Sequence, residues 1–525
     1  MAASTSKAGE QWRPSHNPWL IAVAVMTATF MEVLDTSVAN VSLPHIAGNL
    51  SVTTNEATWV LTSYLVSNAI VLPITGWLGI YFGRKNLLVI CVAIFTGASI
   101  LCGMAPSLSF LVVARVLQGA GGGAMQPIAQ AVLLESFPPE KRGVAMATYG
   151  MGVIVAPILG PTLGGWITDN YSWRWIFYIN VPVGIMAVLM AQAFIEDPPY
   201  IKNAKIESVD VLGFGFLAVW LGTLQVILDK GQQDDWFGST WITWFAVIST
   251  VCFFAFVIRE LTTDHPIVNL RVLKNRNFVA GVILITCLGG VLYGTTAALP
   301  IFLQTMMGYP ALQSGYALSP RGVAALITTF IVGRIIGKVP NRILISLGFV
   351  LLAMSSFWLG LINLQISVWS VIWPSVLNGV AISFIFVALT TSAMGHLRQD
   401  QMGNATGIYN LMRNLGGSFG IAFVTTIIAR RAQVHQALMV GHMTPYDPAY
   451  TQQLAAAQQA LTASSGSWLA HQQALGLLYN DLLNQASLWA FVENFRLFGF
   501  LCLVCIPLVL LFKRVQRGQK PIAAH

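Results

Sequence analysis

The sequence predicts an all-α integral membrane protein of fourteen transmembrane helices, arranged as two six-helix lobes with two helices inserted between them. Three observations predict it. Only 9% of the 525 residues are charged and 55% are hydrophobic, with a mean hydropathy of +0.68, where soluble domains carry about 25% charged residues. A surface this poor in charge is solvated by lipid. Apolar runs of about 20 residues, long enough to cross roughly 30 Å of hydrocarbon, recur along the whole chain. The basic residues also fall on one side of these runs when the runs are taken in alternation.

The runs cover residues 19–43, 57–80, 87–105, 108–135, 143–168, 174–195, 210–228, 240–258, 277–304, 314–337, 343–362, 366–393, 403–429 and 488–512. Residues 1–18 are polar, and run 1 is too long for a signal-peptide core, so it is expected to remain as a helix. An even count puts both termini on one side. With the amino terminus inside, twenty of the 28 basic residues lie in cytoplasmic segments, Arg84, Lys85, Lys141 and Arg142 among them. Only Arg174, Lys230, Arg430 and Arg431 are external, while Arg115, Arg321, Arg413 and Arg496 lie inside runs. A wrong count would flip every later loop and spoil this asymmetry. The net charge of +8 therefore reflects membrane topology and not nucleic-acid binding.

Weak internal repetition divides the chain. Gly143, Ala145, Ala147 and Tyr149 before run 5 match Gly403, Ala405, Gly407 and Tyr409 before run 13. The expected units are residues 1–196, a pair of inserted helices in 197–275, and residues 276–525, which include an external segment 431–487. Two such lobes suggest alternating access around a midplane site. The external segment is rich in Ala and Gln and is expected to form a partly helical element of its own.

Run 1 carries Glu32 and Asp35 on one helical face. An ionisable group at membrane depth costs at least ~2.5 kcal/mol, so each is a functional candidate. Counting ~1.5 Å per residue, Asp35 and Arg115 of run 4 both lie roughly 10–12 Å below the outer surface, where they can pair. Protonating Asp35 would then switch the charge of its lobe. Glu32 has no partner visible in the sequence; it reads as a second proton carrier, a contact for cationic substrates, or a neutral hydrogen-bonded carboxyl. Arg413 sits mid-run without an evident structural role. Glu493 and Arg496, three apart, read as a local salt bridge.

Run 4 continues as RVLQGAGGGAMQP. It lacks the preceding strand and the Lys-Ser/Thr of a phosphate loop, so its glycines read as a helix-packing surface, with Gln118, Met125, Gln126 and Gln130 available to line a path. In run 5, Ala156, Gly160 and Gly164 form a small-residue face, and Pro157 and Pro161 loosen the helix for bending. Cys502 and Cys505 form a CxxC without two further ligands, so no metal site is expected. The histidines lie at termini, loops and helix ends with no HExxH pair, which argues against an enzyme.

At these residues the sequence resembles the major facilitator superfamily, in particular its fourteen-helix drug:proton antiporters of the EmrB/QacA type. LDTSVANVSLP (34–44) is similar to that group's first-helix signature. GWLGIYFGRK (76–85), with Gly76, Gly83 and Arg84, resembles the superfamily's loop motif. RVLQGAGGG resembles the helix 4 motif, GVIVAPILGPTLGG (152–165), ending on Gly165, the antiporter motif, and WRWIFYINVPVG (173–184) a further one. The loop motif departs at Ile80, where an aspartate is usual, leaving Arg84 and Lys85 to hold topology. The resemblance implies export of hydrophobic drugs or other toxic compounds across a bacterial inner membrane, both termini cytoplasmic, with Asp35 and Arg115 at the coupling site. It implies no cofactor, the proton gradient being the drive, and as partners a periplasmic adaptor of the EmrA kind and an outer-membrane channel. Substrate contacts would come from runs 1, 2, 4, 9, 12 and 13, with Asn68, Gln118, Gln126, Tyr293, Asn378 and Arg413 the candidates. A dedicated exporter of one native metabolite, lipid or siderophore would carry the same features.

Overall fold

The computed structural model describes residues 14–138, 141–202, 210–264, 266–336, 338–395 and 397–512. Fourteen helices in it are long and apolar enough to cross a membrane. We number them α1 (Pro18–Val41), α2 (Trp59–Tyr81), α3 (Arg84–Gly103), α4 (Leu108–Ser136), α5 (Arg142–Asn170), α6 (Trp175–Phe194), α7 (Val211–Lys230), α8 (Thr240–Thr262), α9 (Arg276–Met306), α10 (Ala311–Ile335), α11 (Asn341–Leu359), α12 (Trp369–Met394), α13 (Met402–Val440) and α14 (Ser467–Leu508). Because they alternate, α1 begins and α14 ends at one end of the bundle, here the terminal end. The segment between α13 and α14 marks the other, the hairpin end.

Local chemistry sets the starts. Asn17 accepts from the Trp19 N–H ahead of Pro18, Ser107 caps α4, Asp210 caps α7, and Asn275 accepts from Asn277 and Phe278 at the head of α9. Each satisfies backbone donors the first turn leaves open. Between α2 and α3 the chain turns at Gly83, whose φ of +80° suits a residue without a Cβ.

Glycines bring the helices together. A Cβ at Gly119 would lie 2.4 Å from the Tyr64 carbonyl, and one at Gly123 2.7 Å from that of Asn68, so the glycine run of α4 is seated on α2. In α5, Gly160 and Gly164 meet Ser37 and Val38 of α1, whereas Gly165 faces open space and packs on nothing. α9 and α13 also approach to backbone contact. Gly416 would place a Cβ 2.1 Å from the Thr286 carbonyl, and Gly420 2.2 Å from that of Gly290. Pro157 and Pro161 both fall within α5, which continues through them; the Pro161 side chain lies outside the described residues.

α7 stands against α2 and α13, with α8 behind it. The Asp229 carboxylate accepts from Thr62 at the start of α2. Gln225 accepts from Ser418 of α13 at 3.0 Å, and the indole N–H of Trp236, just beyond α7, donates to Thr426 at 3.1 Å. α7 thus touches both lobes, while α8 turns Trp244, Val251, Phe254 and Ile258 outward.

One expectation needs correction. Run 4 is interrupted: its helix breaks at Gly123–Ala124 and restarts at Met125. Residues 431–487 are helical over most of their length, as expected, and they extend the spans: α13 continues to Val440 and α14 begins at Ser467, with a further helix Pro448–Ser465 between them. Between Arg430 and Val440 nothing breaks the helix; α13 ends at Gly441, and the next turn is made by Gly466 at φ +75°. At ~1.5 Å per residue, the 39 residues of α13 span roughly 58 Å, well beyond a hydrocarbon core.

Candidate functional site

Asp35 is fully enclosed on α1. Its carboxylate accepts from Arg115 Nη1 at 2.6 Å, Gln118 Nε2 at 2.9 Å and Asn180 Nδ2 at 2.6 Å. Those donors come from α4 and α6. Arg115 is 0% exposed; its Nε donates to the Val60 carbonyl and Nη1 also to Gln118 Oε1. Its guanidinium carbon lies 4.5 Å from the Tyr64 ring centre and 5.6 Å from that of Phe177. The carboxylate thus has three donors, and the rings and carbonyls replace water around the cation.

One turn away, Glu32 has partners that no sequence spacing revealed. It accepts from Gln126 Nε2 at 2.7 Å, from the Tyr64 hydroxyl at 3.1 Å and from Asn68 Nδ2 at 3.4 Å. Gln126 Oε1 in turn accepts from Arg413 Nη2 on α13. A single amide therefore joins a carboxylate of the first lobe to a cation of the second, which gives Arg413 the contact its mid-run position did not explain. Four residues on, Asn410 Nδ2 donates to Gln130 Oε1 at 2.9 Å. Among the described residues, these two pairs are the direct hydrogen bonds between the six-helix lobes.

The lobes also meet at the terminal end. A Cβ at Gly76 would lie 2.6 Å from the Asn404 backbone nitrogen, and Gly143 and Gly333 meet Ile336 and Ala147 across α5 and α10. Arg84 also lies at this end, where it is buried and forms an ion pair with Glu135 at the end of α4. Asp197 accepts from the Lys85 backbone N–H at 3.0 Å and faces Gly83.

The remaining candidates scatter. Gln118, expected along a substrate path, is wholly buried beside Asp35. Tyr293 is exposed on α9 with its ring against Gly417, and Asn378 is buried in α12; neither reaches the two acids. Glu493 does not pair with Arg496. It forms an ion pair with Arg431 at 3.2 Å and lies 3.1 Å from His435 Nε2, while Arg496 donates to the Gly360 carbonyl. Sequence reasoning missed Tyr64, Asn180 and Ser99. Ser99 Oγ accepts from Gln118 at 2.7 Å, and Asn180 sits inside the WRWIFYINVPVG stretch, so a polar residue within an apolar run was the available signal. Among the described residues no cluster of His, Cys, Asp and Glu is placed to hold a metal ion.

Fourteen spans, a lobed helical bundle and a buried ion pair between α1 and α4 define the fold of a secondary membrane transporter. Comparison with known proteins agrees: a sequence model described as Major Facilitator Superfamily matches residues 25–421. The chain belongs to the Major Facilitator Superfamily. It is 39% identical over 433 residues to the multidrug export protein EmrB of Haemophilus influenzae, covering 82% of this chain and 84% of that one. It is 35% identical to EmrB of Escherichia coli K12, covering 95% and 96%, and 37% identical to the fatty acid resistance protein FarB of Neisseria gonorrhoeae, covering 94% and 96%. Among solved structures, the proton:xylose symporter XylE aligns with a TM-score of 0.59 at 14% identity, covering 92% of this chain and 94% of that chain. That likeness concerns the fold.

Proposed function

We propose that this chain exports small hydrophobic compounds by alternating access, exchanging them for protons. The terminal end faces the cytoplasm of a bacterial inner membrane, and the hairpin end faces outward, where a periplasmic adaptor and an outer-membrane channel would receive the cargo. Relatives named as multidrug export proteins over most of their length support the substrate class, and the lysine and arginine asymmetry supports the orientation.

The observation that carries the reading is the enclosed Asp35–Arg115 pair with its amide partners. Three donors from α4 and α6 surround this acid. A proton arriving from outside neutralises it, and Arg115 keeps its bonds to Gln118 and the Val60 carbonyl while losing its counter-charge. Glu32 extends the switch across the lobes. Once protonated, it holds the Gln126 amide less firmly, because a neutral carboxyl is a weaker acceptor than a carboxylate. Gln126 is then free to part from Arg413. Release of this cross-lobe contact lets the terminal end open, and loss of the proton to the cytoplasm restores it.

Drug uptake into everted membrane vesicles tests the reading. Uptake by the parent should require the pH gradient, and Asp35→Asn should abolish it while leaving the protein in the membrane. Equal gradient-driven uptake by the two would reject Asp35 as the coupling group.

A further inference from the structure

Arg321 plays no part in the machinery above, and its surroundings are unusual. It lies ten residues into α10 from the hairpin end, within the span. Tyr316, Val323, Ile327 and Phe330 of α10 are all at least half exposed and form that helix's lipid-facing stripe. At 3.6 residues per turn, position 321 falls on the opposite side. There the backbone of α10 is pressed against α12, since a Cβ at Gly379 would lie 2.0 Å from the Arg321 carbonyl. The cation therefore points into the lobe and cannot reach the headgroup layer along the lipid face.

No acid of its lobe answers it. Between Asp264 and Asp400 the sequence contains neither Asp nor Glu, and the next acid after Asp400 is Asp447, beyond α13. Glu493 of α14 is engaged by Arg431 and His435. Arg321 Nη1 donates to Thr296 Oγ1 on α9 at 3.0 Å, while Nη2 is enclosed and makes no hydrogen bond. The hydroxyls of Ser375 on α12 and Ser314 on α10 are likewise enclosed without partners. A guanidinium offers a planar fork of donors that matches a carboxylate. Buried charges are otherwise paired, so a lone one marks a place where a ligand supplies the partner.

We propose that Arg321, with Thr296 beside it, forms an anion subsite that accepts the carboxylate of an amphiphilic acid. The inference rests on the export reading and deepens it by naming a substrate class. The two lobes then divide the work: the first holds acids for protons, and the second holds a cation for the cargo's charged head. The hydrocarbon body would lie towards the exposed ring of Tyr293, one helical turn from Thr296 on α9.

Equilibrium binding in nanodiscs tests the subsite separately from transport. Dodecanoate and dodecyltrimethylammonium, equal in chain length and opposite in charge, serve as probes for the purified parent, Arg321→Gln, Arg321→Lys and Thr296→Asp. Arg321→Gln should weaken dodecanoate at least tenfold relative to the cationic probe, and Arg321→Lys should restore most of that loss. Thr296→Asp places a competing carboxylate within reach of Arg321 and should also remove dodecanoate binding, so the subsite stays testable if Arg321→Gln does not fold. The assignment is overturned if the parent does not bind dodecanoate, if both probes weaken alike, or if binding survives in Thr296→Asp. It is also overturned if binding seen in phosphatidylcholine discs disappears in phosphatidylglycerol discs, because a resident lipid phosphate would then own the site. Binding that behaves as expected without gradient-driven uptake would refute the export reading and leave the subsite standing.

Discussion

Tyr64 touches one acid of α1 and the partner of the other: its hydroxyl donates to Glu32, and its ring lies under the guanidinium of Arg115, which pairs with Asp35. Tyr64→Phe separates the two, since the ring stays and the donor goes. A hydrogen bond to a charged group is worth about 1.5–3 kcal/mol. We therefore expect gradient-driven drug uptake to fall by roughly tenfold or more, with membrane abundance unchanged, and uptake at parental rates would show that this bond is idle. Gln126→Leu cuts the Glu32–Arg413 chain outright. It should leave drug binding measurable while transport coupled to the pH gradient is lost; full coupling in that variant would remove the amide from the mechanism. At this scale the sequence was half legible. Asp35 and Arg115 could be matched because depth follows from residue counting along opposed helices. The partners of Glu32 could not, because Tyr64, Asn68 and Gln126 sit on helices whose rotation about their own axes is set by glycine contacts and not by hydropathy.

The glycines act at the scale of the element. Gly289, Gly290, Gly416 and Gly420 let α9 and α13 approach to backbone contact, which in lipid replaces the hydrophobic drive that water would supply. Gly416→Leu should prevent that approach and lower the yield of folded protein severalfold in detergent size-exclusion profiles. Gly76 has a different task, because its neighbour Asn404 belongs to the other lobe. Gly76→Val should leave folding intact, hold the terminal ends apart and reduce drug export by tenfold or more in vesicles. Normal export would show that the contact is not needed. The sequence marked the glycines of α4 and α5 through their clustering, but Gly290 and Gly420 pair across 130 positions, a distance at which spacing says nothing. Gly165 illustrates the converse, since it ends a recognisable stretch and touches no neighbour.

For the whole molecule, the direct contacts between lobes gather towards the terminal end, where α2 meets α13 and α5 meets α10, with Gln130–Asn410 and Gln126–Arg413 above them. A protein that works by rocking must break this set once per cycle. Cysteines replacing Ala147 and Gly333, whose β carbons would face each other across the lobes, should form a disulfide under oxidation that stops uptake, with recovery on reduction; undiminished uptake by the cross-linked form would rule out separation at this level. Fold class, span count and the existence of two lobes were legible because lipid imposes one rule on every segment. The reach of α13 and α14 past the bilayer was not, since Ala- and Gln-rich sequence in water forms helix or loop according to what it is joined to.

That continuity turns the second lobe into the base of a stiff mast. α13 passes from the Arg413 contact to Val440 without a break, and α14 returns from Ser467 on the same footing. Tilting at the base is geometrically magnified at the summit, so a dye placed beside the exposed Trp468 would flicker in step with turnover, reporting each stroke of a pump whose working parts lie out of sight in the bilayer.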